Sequence, residues 1–128
     1  MKVQITHAAI YTPDLERLKD FYIKFFNAKS NEKYENSKGF SSYFLTFDSD
    51  VRLEIMSHTL LEVREVLEKV NGISHIAFSV GTKDDVIALT KRITDDGYTL
   101  YSPCRQTGDG YYESCISDPD GNRIEITE

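Results

Sequence analysis

Apolar and polar positions along the chain switch between two periods, and they do so twice in the same order. Val3 to Tyr11 is β-branched and apolar, which predicts a buried strand. Thr12-Pro13 interrupts it and is expected to open a helix, with Thr12 as N-cap and Pro13 at the first helical position. Leu15, Leu18, Phe21, Tyr22, Phe25 and Phe26 then follow at helical spacing as one apolar stripe, and Asn27 to Ser30 ends it. Three strand-like runs come next, near 31–36, 40–47 and 50–57, separated by the turn signals Lys38-Gly39 and Asp48-Ser49-Asp50. The second pass predicts a strand near 73–80 and a helix opened by Thr82, with Val86, Leu89, Thr90 and Ile93 as its stripe and Asp96-Gly97 as its close. Strands near 98–102, 111–117 and 122–127 complete it, the last entered through the tight turn Asp118-Pro119-Asp120-Gly121. Between the two passes, Leu60, Leu61, Val63, Val66, Leu67 and Val70 are spaced as the apolar face of a connecting amphipathic helix, about 58–70.

The two passes also agree residue by residue. Ile5-Thr6-His7-Ala8-Ala9-Ile10 matches Ile73-Ser74-His75-Ile76-Ala77-Phe78, and Arg52-Leu53-Glu54-Ile55 matches Arg123-Ile124-Glu125-Ile126. The histidines are 68 residues apart and the glutamates 71. Agreement in type, order and spacing identifies two copies of one βαβββ module, about 1–57 and 71–128, and such self-similarity governs the fold. The expected class is α+β.

Strand alternation places side chains on faces. In the strand near 50–57, Val51, Leu53 and Ile55 share one side, and Arg52, Glu54 and Met56 the other. In the last strand Ile124 and Ile126 oppose Arg123, Glu125 and Thr127. The apolar sides are expected under the helices, which leaves both glutamates on the opposite sheet face. His7 and His75 sit on the first strands of their modules in otherwise apolar surroundings. Taken singly, such a histidine is most often a packed residue, and such a glutamate half of an ion pair. Taken as four equivalent positions, His7, Glu54, His75 and Glu125 form the donor set of one divalent metal ion: Zn, Ni, Co, Mn or Fe(II).

Composition narrows the partners. The 128 residues carry 15 Lys+Arg against 21 Asp+Glu, a net charge of −6, with no basic cluster, so nucleic acid is not an expected partner. No apolar run reaches the roughly 18 to 20 residues that cross a bilayer. The opening residues have no long apolar core, so no secretory leader is expected. Cys104 and Cys115 have no metal or redox spacing and read as reduced thiols, in keeping with a cytoplasmic protein.

These residues together resemble the vicinal oxygen chelate superfamily, which holds glyoxalase I, bleomycin- and fosfomycin-resistance proteins and extradiol dioxygenases. The resemblance spans the chain: His7, the "FYIKFF" helix, Glu54, His75, the "DPDGNRIEI" ending and Glu125. It implies one domain over 1–128, a curved, cup-like mixed sheet with helices outside, and a homodimer. The His/Glu/His/Glu set is similar to glyoxalase I, while fosfomycin enzymes and extradiol dioxygenases lack the first-half Glu.

For function, the resemblance implies a metal-dependent lyase or isomerase for a small α-oxo or hemithioacetal-type substrate. The substrate's adjacent oxygens chelate the ion and a carboxylate moves a proton. Glu125 matches the glyoxalase I base, and Glu54 is its pseudo-symmetric partner. The alternative is a dimeric antibiotic-binding or fosfomycin-type resistance protein. The chain departs from glyoxalase I where glutathione is held: Tyr11 stands where bacterial enzymes resemble one another in an Arg, and Ser57-His58-Thr59 where an Asn is expected. Tyr11, Tyr43, Tyr111 and Tyr112 are candidates to line the cup, and His58 reads as a non-ligand.

Overall fold

A computed structural model describes residues 1–65 and 69–128, and it divides into two compact units, Met1–Arg64 and Glu65–Glu128. The first unit runs β1 (His7–Tyr11), α1 (Leu15–Phe26), β2 (Lys29–Ser30), β3 (Tyr34–Glu35), β4 (Phe40–Thr46) and β5 (Arg52–His58). The second runs β6 (His75–Ser79), α2 (Lys83–Asp95), β7 (Leu100–Gln106), β8 (Tyr112–Ser117) and β9 (Arg123–Thr127). The class is α+β, with one curved mixed sheet per unit and two helices among the described residues.

The two sheets repeat one topology. In the first the order is β1-β5-β4-β2, with β3 also on β4; in the second it is β6-β9-β8-β7. In each, the opening strand pairs parallel to the closing one, and the other pairings are antiparallel. The repeat extends to register: His7 lies opposite Arg52 and Ala9 opposite Glu54, as His75 lies opposite Arg123 and Ala77 opposite Glu125.

Each helix lies on the apolar face of its own sheet. Leu15, Leu18, Phe21, Tyr22 and Phe25 are buried on α1, and Leu45, Leu53 and Ile55 on the sheet beneath. Val86, Leu89, Thr90 and Ile93 of α2 cover Ile116, Ile124 and Ile126 in the same way. Burying a full aliphatic side chain stabilises by about 1.5–3 kcal/mol, so this alternation fixes which face looks outward. The two hydroxyls inside the second layer satisfy each other: Thr90 Oγ1 and Ser114 Oγ are 2.6 Å apart, and Thr90 Oγ1 also donates to the Val86 carbonyl.

Several local expectations are corrected. The α1 N-cap is Asp14, whose carboxylate accepts from the Arg17 N–H at 3.0 Å; Thr12 is fully buried and its hydroxyl accepts from the Asp14 N–H instead. Pro13 therefore precedes the cap. Both opening strands begin at their histidines, not at Val3 or Ile73, which are 79% and 82% exposed: outside the sheet register these apolar residues find no layer within their unit. The run expected near 31–36 holds the two-residue β3, and β2 lies before it at Lys29–Ser30; both pair with β4. Of the helix expected over 58–70, residues 66–68 lie outside the described residues. In the rest of that span His58 ends β5, Thr59–Leu60 form a turn, and no residue is helical. Leu60 and Val63 there are exposed, and a short helix without a packed face is not stable on propensity alone.

Candidate metal-binding half-sites

The outward face of each sheet carries the chemistry. On β1 the side chains of His7, Ala9 and Tyr11 share the face of Arg52, Glu54 and Met56 on β5; on β6, His75, Ala77 and Ser79 share that of Arg123, Glu125 and Thr127 on β9. His7 Nε2 lies 3.7 Å from Glu54 Oε2, and His75 Nε2 lies 3.2 Å from Glu125 Oε2. The histidines are partly exposed and the glutamates more sheltered, with side-chain exposures of 38% and 16% in the first pair and 40% and 23% in the second.

The other ring nitrogen is held in both cases. His7 Nδ1 is 2.9 Å from Thr6 Oγ1, and His75 Nδ1 is 3.2 Å from Ser74 Oγ. In the tautomer that carries its proton on Nδ1, the ring donates to the preceding hydroxyl and Nε2 presents a lone pair on the glutamate side, as a metal-ligating imidazole requires. The sequence signal for this was the repeated hydroxyl-His dipeptide.

The donor spacing fits a first-row divalent ion. Two donors about 2.1 Å from one ion lie about 3.0 Å apart at a right angle and about 3.4 Å apart in a tetrahedron. The two His–Glu separations are close to that range, so a small side-chain adjustment lets each pair close on one ion. Among the described residues, no group of three or more His, Cys, Asp or Glu gathers for this purpose; each unit holds one His–Glu pair.

The surroundings of the two pairs differ. Phe44 lies opposite Glu54 on β4, meets the His7 ring edge-on at 5.5 Å, and carries the Arg52 guanidinium 4.5 Å above its ring. Cys115 lies opposite Glu125 on β8; Arg123 reaches it and also stacks 4.2 Å from the Tyr101 ring. Burial pushes the Cys115 thiol up, partly offset by the Arg123 charge and hydrogen bond. Both cysteines are free thiols. The Arg two residues before each Glu was visible in the sequence; its aromatic seat was not.

Other candidates sort by face. Tyr43 is turned to the helix side, where its hydroxyl donates to Glu16 Oε1 at 2.7 Å and Lys19 lies 4.6 Å from its ring. Lys19 and Tyr43 hold the Glu16 carboxyl below its ordinary range, and the Glu16 bond holds the Tyr43 phenol above its own. Tyr112 likewise meets Lys83 of α2 at 5.3 Å. These two are packing residues, whereas Tyr11 stays on the Glu54 face and is exposed, as is Tyr111. His58 shares that face at the strand end, but its Nδ1 accepts the Leu60 N–H at 3.0 Å and serves as a turn cap.

A family model described as the Glyoxalase/Bleomycin resistance protein/Dioxygenase superfamily matches residues 4–126. The chain belongs to this superfamily. Among solved structures, this superfamily member is similar to a glyoxylase/bleomycin resistance protein/dioxygenase domain from Frankia sp. EAN1pec, with TM-score 0.84 and 16% identity over 99% of this chain and 98% of that one. It is similar to a glyoxalase family protein from Enterococcus faecalis, with TM-score 0.78 and 24% identity over 98% and 97%. Glyoxalase I from Zea mays gives TM-score 0.78 at 21% identity, over 97% of this chain and 44% of that chain. No curated protein matches. No described helix is long and apolar enough to cross a membrane.

Proposed function

We propose that this superfamily member is a metal-dependent lyase or isomerase of glyoxalase I type, acting on a small α-oxo or hemithioacetal-type substrate. In this reading residues 1–128 act as one domain, in a cytoplasmic homodimer, and one divalent ion is held by His7, Glu54, His75 and Glu125. The observation that carries it is the duplicated His–Glu pair, at the same register in both units, with Nδ1 engaged by a hydroxyl and Nε2 facing a carboxylate. A sequestering groove for a cationic drug has no use for two such imidazoles.

When bound, the ion supplies Lewis-acid stabilisation of the oxygen charge that develops as a proton leaves the neighbouring carbon. The chain supplies the rest. Thr6 and Ser74 orient the His7 and His75 rings through Nδ1, which leaves each Nε2 on the glutamate side. Glu125 accepts the substrate proton at a carboxylate oxygen and returns it to the adjacent carbon, while Glu54 holds the balancing negative charge across the set. Glu125 is the better placed to be held in register: it follows the Asp118 turn, in which Asp118 is 2% exposed. Asp118 Oδ1 accepts the Asp120 and Asn122 N–H groups at 2.9 Å and Oδ2 accepts Asn122 Nδ2 at 2.8 Å.

The test begins with elemental analysis of protein purified without added metal, then titration with Zn, Ni, Co and Mn and an assay on methylglyoxal with several thiols. The expected result is one ion per four-donor set and turnover that disappears with a chelator. Stoichiometric drug binding by a protein that takes up no metal would favour the resistance-protein reading instead.

A further inference from the structure

Beside the first His–Glu pair lies a pocket of about 270 Å³, lined by Gln4, Ile5, Thr6, Asp50 and Arg52. It adjoins the pair directly. Thr6 is the residue whose hydroxyl holds the His7 ring, and Arg52 is the register partner of His7 on the same sheet face. The Arg52 guanidinium carbon lies 4.5 Å from the centre of the Phe44 ring. A cation–π seat of this kind restrains the guanidinium without using up its N–H donors. Among the described residues no carboxylate, Asp50 included, forms an ion pair with Arg52.

Its counterpart in the second unit is differently engaged. Arg123 stacks on Tyr101 and reaches the Cys115 thiol, which stands where the first unit has Phe44. The repeat thus supplies the same arginine twice, and the first copy lines this pocket. A planar fork with two parallel N–H donors matches a carboxylate in bidentate fashion.

We propose that Arg52 is a specificity-determining residue: it binds a carboxylate of the substrate in the Gln4–Arg52 pocket, beside the His7–Glu54 pair. The substrate class is then an acidic α-oxo or α-hydroxy compound whose second charged end lies a few bonds from the reacting carbon. This rests on the reading of His7 and Glu54 as metal donors for the chelated head.

Two hydroxamates test it on the zinc-loaded protein by calorimetry: acetohydroxamate, a neutral chelating head, and succinic monohydroxamate, the same head with a carboxylate. The expected result is roughly tenfold tighter binding of the acidic compound, as a charge-assisted bidentate contact provides. In Arg52→Gln that preference falls to less than about twofold while acetohydroxamate affinity is unchanged. Equal affinities in the parent protein, or a preference that survives Arg52→Gln, overturns the proposal. If neither compound binds, the metal reading has failed, and the pocket is judged on metal-free protein by NMR titration with succinate. Shifts at the Arg52 Nε–H and at Gln4, Ile5 and Thr6, absent in Arg52→Gln, then support the carboxylate site, and their absence overturns it.

Discussion

Glu54 and Glu125 have the same neighbours along the chain, an Arg two before and an Ile after, yet they stand opposite different residues. Phe44 faces Glu54, and Cys115, reached by Arg123, faces Glu125. Under the proposed mechanism this difference separates a structural carboxylate from a working base. Glu125→Gln keeps the shape and one ligating oxygen but removes the basic group, so turnover at saturating metal should fall by about 10²-fold or more. Glu54→Gln should weaken metal to a similar degree and retain the greater share of activity once metal is in excess. Comparing plateau rates during metal titration of both variants decides it; equal plateaus would mean that the two carboxylates share the role. The identities of these residues were legible in the sequence because duplication picked them out. Their seats were not, because which strand lies alongside which is decided by long-range pairing.

Among the elements, the two helices show how much of a boundary is local. α2 opens as its sequence indicates: Thr82 Oγ1 accepts the Asp85 N–H at 3.3 Å, and Asp85 Oδ2 accepts the Thr82 N–H at 2.8 Å, closing a capping box. The Thr82 hydroxyl, donating at 2.6 Å, and the Thr82 N–H hold the Asp85 carboxyl below its ordinary range. Removing the N-cap hydroxyl in Thr82→Ala should destabilise the protein at neutral pH by the usual cost of a lost N-cap, about 1 kcal/mol. A depressed carboxylate contributes stability above its unfolded-state pKa and loses it as pH falls through the folded value. The gap between the two proteins should thus be constant near neutrality and begin to close below about pH 4. Urea unfolding at pH 7 and pH 3 measures it, and an undiminished gap at pH 3 would remove the electrostatic part of the explanation. α1 opens one turn signal later than its threonine suggests. Thr12 and Asp14 are both good caps, and the choice fell to Asp14 because Thr12 is drawn into the buried layer, where its N–H donates to the Met56 carbonyl at 2.8 Å. Propensity ranks two such residues nearly equally, and strand β5 breaks the tie.

For the molecule as a whole, the proposed dimer and the four-donor set make one joint prediction. Light scattering at micromolar concentration should give twice the 14.7 kDa chain mass, and 14.7 kDa would count against the dimer. Mixing denatured His7→Ala and His75→Ala chains and refolding them together then reports how the donors are shared. If each set draws one pair from each chain, a mixed dimer regains one intact set, so about a quarter of all sites recover metal; if each set belongs to one chain, none do. The sequence by itself determined the α+β class, the duplication, the apolar face of each sheet and the identity of the His–Glu pairs. These rest on periodicity and on repetition, which are properties of order along the chain. Tertiary structure alone decided the start of each sheet at its histidine, the burial of Tyr43 and the placing of Tyr112 beside Lys83 of α2, the Asp14 cap and the turn that replaces helical residues after His58. It also decided the unequal seats of Arg52 and Arg123. The physical reason is common to these. A hydrogen bond or a stacking contact is awarded among several chemically adequate partners by which of them folding brings within about 3 to 5 Å, and the pattern of residues along the chain does not contain that distance.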